Sequence, residues 1–324
     1  MSAVPVLFAG TPDVAVPALD VIVGDPRFTV VAVLTNPDRP RGRSGAPVPS
    51  PVAVRASELG LPLLRPERVR DAADAIAATG AHVGAVVAYG SILPPAVLTS
   101  LPLGFVNLHF SLLPRWRGAA PVQHALRAGD AVTGVTAFRL DEGMDTGPVL
   151  RTLEVRPPDD VDAGDLLDAL AQAGAPVLAD ALAAVVAGEQ GTPQPSEGAT
   201  LAPRIVADDA TVDWGLPALE VARRIRSVTP RPGAATLLEG QRMKVAGPAP
   251  LAPAADTGPG HDRDVAPGTV VAADGDGIVV ACGEGALRIA RVQLPGRPWS
   301  SAADQVRGRR LAVGAVLGGA RSTS

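Results

Sequence analysis

The chain has 324 residues, 47% of them hydrophobic and 19% charged. That is enough for a large core, more length than one ordinary core needs, and too apolar for a disordered tail. A formal charge of −4 and only 3% aromatic residues exclude a generally basic nucleic-acid coat and a single-strand binder built on stacking platforms.

From the N-terminus, Val4–Phe8 predicts a buried strand, followed by the turn Gly10-Thr-Pro-Asp13 and an apolar helix around Val14–Val23. Met1-Ser-Ala-Val-Pro-Val-Leu-Phe8 has neither a basic start nor a long apolar run, so no signal peptide is expected. Thr29–Thr35 predicts a second strand, and Ser50–Leu59 a helix with Ser50 as N-cap and Pro51 at its first position. His82–Ala88 is a third strand ending in Tyr89-Gly90, and Phe105–His109 a fourth. Strands alternating with helices predict an α/β fold with a Rossmann-like, mostly parallel sheet, whose sites lie at the carboxyl ends of its strands. Gly10, Tyr89-Gly90 and Asn107–His109 fall at those ends.

Val161–Val186 is rich in Ala and Leu at helical spacing, with Gly174 and Pro176 expected to interrupt it. Pro, Gly or charge is expected to break every other long apolar run as well, so no membrane span and a cytoplasmic setting are expected. Residues 188–205 lose all period and gather Gly, Pro, Gln and Ser, the composition of a linker between residues 1–187 and 206–324. Beyond it Leu216–Val228 predicts a helix. Short strands at Ala234–Leu238, Met243–Val245, Gly268–Val271, Gly277–Ala281 and Leu287–Val292 predict a small, OB-like β-barrel. Pro248–Pro267 reads as a loop between them. Residues 206–324 hold 14 basic against 12 acidic residues, and residues 1–205 hold 15 against 21, so the second part is mildly basic beside an acidic first part.

The single cysteine, Cys282, excludes an internal disulfide and any multi-cysteine metal site, and its apolar neighbours predict a buried strand thiol. His82, His124 and His261 have no partner motif and are expected to be structural or solvent-facing.

The densest polar cluster runs from Asn107 to Pro121. Asn107 and His109 are two apart in a strand, so their side chains share a face, and together they can hydrogen-bond one oxygen. Such a pair suits the oxyanion of an acyl transfer. Alternatively, Asn107 caps a turn and His109 is a satisfied core residue. A carboxylate should accompany the pair, and Asp141, Glu142 and Asp145 compete for that role on composition.

Several motifs resemble those of the methionyl-tRNA formyltransferases, a branch of the folate-dependent formyltransferase superfamily. They are Phe8-Ala-Gly-Thr-Pro-Asp13, Asn36-Pro-Asp-Arg-Pro40 with Gly42-Arg43, Pro49-Ser-Pro51, Val86-Val-Ala-Tyr-Gly90, the Asn107–Pro121 run, Gly143-Met-Asp-Thr-Gly147 and Asp213-Trp214. The resemblance implies transfer of formyl from 10-formyltetrahydrofolate to the α-amino group of methionyl initiator tRNA. Asn107, protonated His109 and Asp145 would be the catalytic residues, with no metal. It implies folate contacts at Ser111, Leu112, Leu113 and Pro114, with Val87, Ala88, Tyr89 and Gly90 on the pterin side. It implies tRNA contacts at Arg39, Arg41 and Arg43 in a loop after the second strand. Further tRNA contacts fall on Arg223, Arg224, Arg226, Arg242 and Lys244 of a C-terminal barrel, and the size of the tRNA favours a monomer.

Two departures stand out: Ser44-Gly-Ala where members of the branch carry lysines, and Phe110 where they carry a small residue. Close alternatives are a transformylase acting on glycinamide ribonucleotide or a nucleotide sugar, and a formyl hydrolase. The basic appended domain speaks against all of them. A dinucleotide-binding module is disfavoured by the single glycine in Phe8–Asp13, and a silent tRNA-binding protein by the intact Asn107, His109 and Asp145.

Overall fold

The computed structural model describes residues 2–40, 45–251 and 265–318. The chain packs as two compact units, one formed by residues 1–121, 132–156 and 167–202, the other by residues 122–131, 157–166 and 203–324.

In the first unit, β1 (Val4–Gly10) is followed by α1 (Val16–Gly24), β2 (Phe28–Leu34) and a short antiparallel pair, β3 (Arg39–Pro40) with β4 (Pro47–Val48). Then come α2 (Pro51–Glu58), β5 (Leu63–Leu64), α3 (Ala73–Ala77), β6 (Val83–Val87), α4 (Pro95–Leu98) and β7 (Phe105–His109). Next along the chain α5 (Pro121–Ala128), which belongs to the second unit past Pro121, precedes β8 (Thr133–Arg139) and β9 (Val149–Val155), and α6 (Ala163–Val186), part of the first unit from Leu167 on, closes the series. The sheet order is β5-β2-β1-β6-β7-β8-β9, parallel from β5 to β7 and antiparallel across the last two steps. The central strands β1 and β6 are buried along nearly their whole length, as continuous apolar strands must be when both faces of a sheet are covered.

The cap expected at Ser50 is present. Its hydroxyl accepts from the Ala53 amide at 3.0 Å and shares a 2.7 Å hydrogen bond with Thr35 at the end of β2. Ser50→Ala is expected to lower unfolding free energy by about 1–2 kcal/mol. Urea denaturation would measure it, and an unchanged midpoint would show the cap to be idle.

Gly174 and Pro176 do not interrupt α6, which runs unbroken. A Cβ at Gly174 would lie 3.0 Å from Leu108 and 3.2 Å from Val135, so the glycine allows close passage over the sheet rather than marking a break. Burial of Leu170, Leu178 and Leu182 outweighs the one hydrogen bond that Pro176 removes. The helix also corrects the expectation that every long apolar run is broken. By length and composition α6 could cross a membrane, with mean hydropathy 1.6 over 18 residues, yet 56% of that window is buried inside the protein.

In the second unit, α7 (Ala218–Ser227) precedes β10 (Ala235–Leu238), β11 (Gln241–Leu251), β12 (Val270–Asp274), β13 (Gly277–Ala281), β14 (Ala286–Gln293), β15 (Ser300–Ser301) and α8 (Ala302–Arg307). The antiparallel order is β10-β11-β14-β13-β12, with β15 on β14. Val316 bridges to Thr269 and Leu317 to Leu238, so one short segment ties the two edges together. Trp214, Ile225, Met243, Ile278, Leu287 and Ile289 fill the interior. Cys282 is buried there as expected, and burial pushes its thiol pKa up to about 12.

The expected loop at Pro248–Pro267 needs correction at its start, because β11 continues to Leu251. Pro248 and Pro250 pair with β14, beyond Lys244 where pairing with β10 stops. The strand is an edge there, and edges tolerate proline. Most of that loop, His261 included, lies outside the described residues, as do Arg41, Arg43 and Ser44.

Candidate active site

A cavity of about 570 Å³ opens at the carboxyl ends of β6 and β7. Three of the quoted motifs build its rim. The Thr11 hydroxyl and the Asn36 amide each donate to the Tyr89 carbonyl at 2.9 Å, and the same amide donates to the Thr11 hydroxyl at 3.1 Å. This clamp fixes the backbone after β6, where Ala88 and Gly90 take left-handed φ values of 45° and 86°. Neither Thr11 nor Asn36 is predicted as a site residue. Their motifs are visible in the sequence, but the shared acceptor that gives them a role is not.

Asn107 and His109 both line the cavity, as strand residues two apart should. Among the described residues no protein group hydrogen-bonds the Asn107 side chain, which leaves its amide free for a ligand. His109 is 6% exposed, with its ring edge-on to Phe138 at 6.4 Å between centroids. Its Nε2 lies 2.8 Å from the Trp116 carbonyl oxygen. That oxygen can only accept, so Nε2 carries a hydrogen and donates it. Nδ1 faces the Asp145 carboxylate with Oδ2 at 3.7 Å, too long for a hydrogen bond but within ion-pair distance of a protonated ring.

Geometry separates the three competing acids. Asp141 turns into its own loop, accepting from the Gly143 amide at 3.1 Å and the Thr146 hydroxyl at 2.8 Å. Glu142 is exposed on the cavity wall. Asp145 points inward from a left-handed backbone, φ 55°, and its Oδ2 accepts from the Gly118 amide at 2.7 Å. Gly118 itself has φ 122°, and a Cβ there would lie 2.8 Å from the Ala202 carbonyl oxygen, so glycine is required for that approach.

The residues expected to hold folate divide into two groups. Ala88, Tyr89 and Gly90 line the cavity together with Ile92, Leu93 and Phe110. Burial raises the pKa of the Tyr89 phenol. Val87 is buried within β6, and Ser111, Leu112, Leu113 and Pro114 lie off the cavity wall. Ser111 is wholly buried, its hydroxyl donating to the Arg115 carbonyl at 2.7 Å and its own carbonyl accepting from Thr136 at 2.7 Å. The Thr136 hydroxyl also receives the Leu113 amide at 3.1 Å. This segment shapes the turn that carries Trp116 under His109.

Residues 188–202, for which the sequence predicts only a connector, are tied to the same turn. The Arg117 amide donates to the Thr200 carbonyl, the Ala202 amide to the Arg117 carbonyl, and the Trp116 amide to the Thr200 hydroxyl, at 2.9, 2.7 and 2.9 Å.

The arginines expected to contact tRNA are scattered. Arg39 is exposed on β3, with Arg41 and Arg43 outside the described residues. In the second unit Arg242 is exposed, Arg224 is partly buried, and Lys244 donates to the Pro232 carbonyl at 3.0 Å. Arg223 packs over Gly129. Arg226 is a correction. It is 8% exposed, so it offers no surface contact, and burial together with nearby Arg223 lowers its pKa. His82 is exposed, and His124 Nε2 lies 3.0 Å from the Pro203 carbonyl oxygen. Among the described residues no group of His, Cys, Asp and Glu is arranged to hold a metal ion.

The family described as formyl transferase matches residues 4–182, and the formyl transferase C-terminal domain matches residues 204–310. Among curated relatives, the methionyl-tRNA formyltransferase of Streptomyces coelicolor is 45% identical over 317 residues, covering 96% of this chain and 99% of that one. That of Paenarthrobacter aurescens is 50% identical over 307 residues, covering 94% and 96%. Among solved structures, the N-formyltransferase from Helicobacter canadensis, in complex with folinic acid and dTDP-3-aminofucose, aligns with TM-score 0.64 at 13% identity. It covers 88% of this chain and 98% of that one. HypX from Aquifex aeolicus, in complex with tetrahydrofolic acid, aligns with TM-score 0.62 at 14% identity, covering 97% of this chain and 48% of that one. This chain therefore spans about half the length of HypX, and at such identity both structures speak for the fold alone. Both parts of the family pattern occur here in order, and relatives of 45–50% identity extend over almost the whole chain. The chain belongs to the formyl transferase family, among the methionyl-tRNA formyltransferases.

Proposed function

We propose that this chain transfers the formyl group of 10-formyltetrahydrofolate to the α-amino group of methionine on initiator tRNA. The observation that carries the reading is the unclaimed Asn107 amide beside His109 and Asp145 on one cavity wall. The cavity suits a folate: the exposed residues Ala88 and Gly90 offer backbone groups to polar ring edges, and Ile92, Leu93 and Phe110 line the wall for a flat ring. The folate supplies the formyl carbon.

Asn107 donates to the formyl oxygen as it gains negative charge under attack by the amine. His109, held through Nε2, presents Nδ1 to the same region. Asp145 supports positive charge on that ring and assists movement of the amine proton toward the leaving nitrogen. Ser111–Pro114 contribute by fixing the turn behind the pocket.

The domain arrangement follows the same reading: residues 1–187 catalytic, 188–205 joining, 206–324 binding tRNA. The chain acts in the cytoplasm as a monomer, without a metal. Phosphate contacts come from Arg39, Arg41 and Arg43 and from the exposed basic residues of the second part.

The test is formyl transfer from 10-formyltetrahydrofolate to charged initiator tRNA, run beside free methionine and glycinamide ribonucleotide. Transfer to the tRNA alone is expected. Preference for either small acceptor would overturn the assignment. In the same assay Arg39→Ala should raise KM for tRNA and reduce the slope of affinity against salt by about one.

A further inference from the structure

We propose that Gln194 is a positioning residue for the reaction, setting the spacing of His109 and Asp145 through the loops that carry their partners. The inference rests on the formyl-transfer reading. Gln194 Nε2 donates to the Asp145 carbonyl at 2.9 Å and to the Gly147 carbonyl at 2.8 Å. Its Oε1 accepts from Arg117 Nε at 3.1 Å and Nη2 at 2.7 Å. The orientation of the amide is fixed by its neighbours, since a guanidinium can only donate and a carbonyl can only accept. One side chain thus joins residues 145–147 to residue 117.

The 116–118 turn supplies both restraints on the pair, and Gln194 ties that turn to the segment that carries Asp145. Trp116, next to Arg117, fixes His109 Nε2 through its carbonyl, and Gly118, on the other side of Arg117, fixes Asp145 Oδ2 through its amide. The Asp145 backbone is left-handed, a conformation that aspartate tolerates better than most side chains but that still needs support to stay in one orientation. Gln194 gives that support from outside, because it grips the carbonyl of the very residue whose side chain faces His109. It does not line the cavity, so it acts on the reaction only through Asp145 and the 116–118 turn.

The expected signature is a loss in kcat with little change in KM for the folate. Gln194→Leu removes both donations and the acceptor. Gln194→Glu keeps a charge-assisted link to Arg117 but turns an oxygen toward the two carbonyls, and it serves if the leucine variant fails to fold. Both should lower kcat by about ten- to a hundredfold, the scale of an ångström of misplacement, in variants that remain folded at the assay temperature by circular dichroism.

A double-mutant cycle provides the readout that a merely structural role would not move. In an Asp145→Asn background the loss from Gln194→Leu should shrink to within about twofold, because groups acting as one unit do not multiply their effects. Equal losses in both backgrounds would overturn the proposal. So would kcat within about twofold of the parent in both variants, or a raised KM at constant kcat. The unsubstituted chain in the same assay separates the two levels. If it transfers no formyl to the tRNA, function and positioning fall together; if it does, the variants judge Gln194 alone.

Discussion

An Asn107→Ala variant is expected to fold normally and to turn over at least about a hundredfold more slowly. The amide has no protein partner among the described residues, so its removal breaks no hydrogen bond that supports the sheet. It sits at a half-buried position on β7, between Val86 of β6 and Phe138 of β8. Its loss leaves the pairing of these strands intact. On the proposed reaction, what disappears is one donor to the developing negative charge, worth about 2.7–4 kcal/mol of barrier, or about two to three powers of ten in rate. Because the charge exists only in the transition state, kcat should fall and KM should stay near its starting value. Single-turnover formyl transfer beside a thermal melt checks both halves. Turnover within about tenfold of the parent would remove Asn107 from the oxyanion role.

Asp145→Asn is expected to be at least as costly, with kcat reduced by about a hundred- to ten-thousandfold. Asparagine is the informative replacement because it tolerates the left-handed backbone as well as aspartate does. Its side-chain oxygen can still receive the Gly118 amide that Asp145 now accepts at 2.7 Å. The variant therefore removes the charge facing His109 Nδ1 while keeping the loop. Asp145→Ala would mix in two further losses, a bare Gly118 amide and a strained backbone, and should also melt earlier. If the Asp145→Asn variant retained more than about a tenth of the parent rate, the carboxylate would be holding the loop rather than serving His109.

Much of this is legible in the sequence because it rests on short-range pattern. The strands β1, β6 and β7 show as apolar runs, and two-residue spacing alone puts Asn107 and His109 on one face. The choice among Asp141, Glu142 and Asp145 is not legible, because it depends on a left-handed residue aiming one carboxylate inward. Gln194 is hidden for a related reason. Irregular backbone contacts leave no period, and a Gly- and Pro-rich stretch looks the same whether it dangles or clasps.

The burial of Arg226 contradicts its expected surface role, yet helical spacing contains the signal for it. It follows Ala222 by four residues, and Ala222 and Ile225 are wholly buried, so it lies on the inward stripe of α7. In β11 the prolines mask a strand, since only the arrangement of its neighbours reveals an edge.

The hydrogen bond from His109 Nε2 to the Trp116 carbonyl also constrains traffic. An imidazole with both nitrogens open can take a proton on one side and release it on the other. This ring has one face of exchange, so a proton that arrives at Nδ1 must depart from Nδ1. On the proposed reaction, any proton that this ring exchanges with the entering amine or the departing nitrogen passes through Nδ1, beside the same carboxylate. The ring serves as a fixed post rather than a relay.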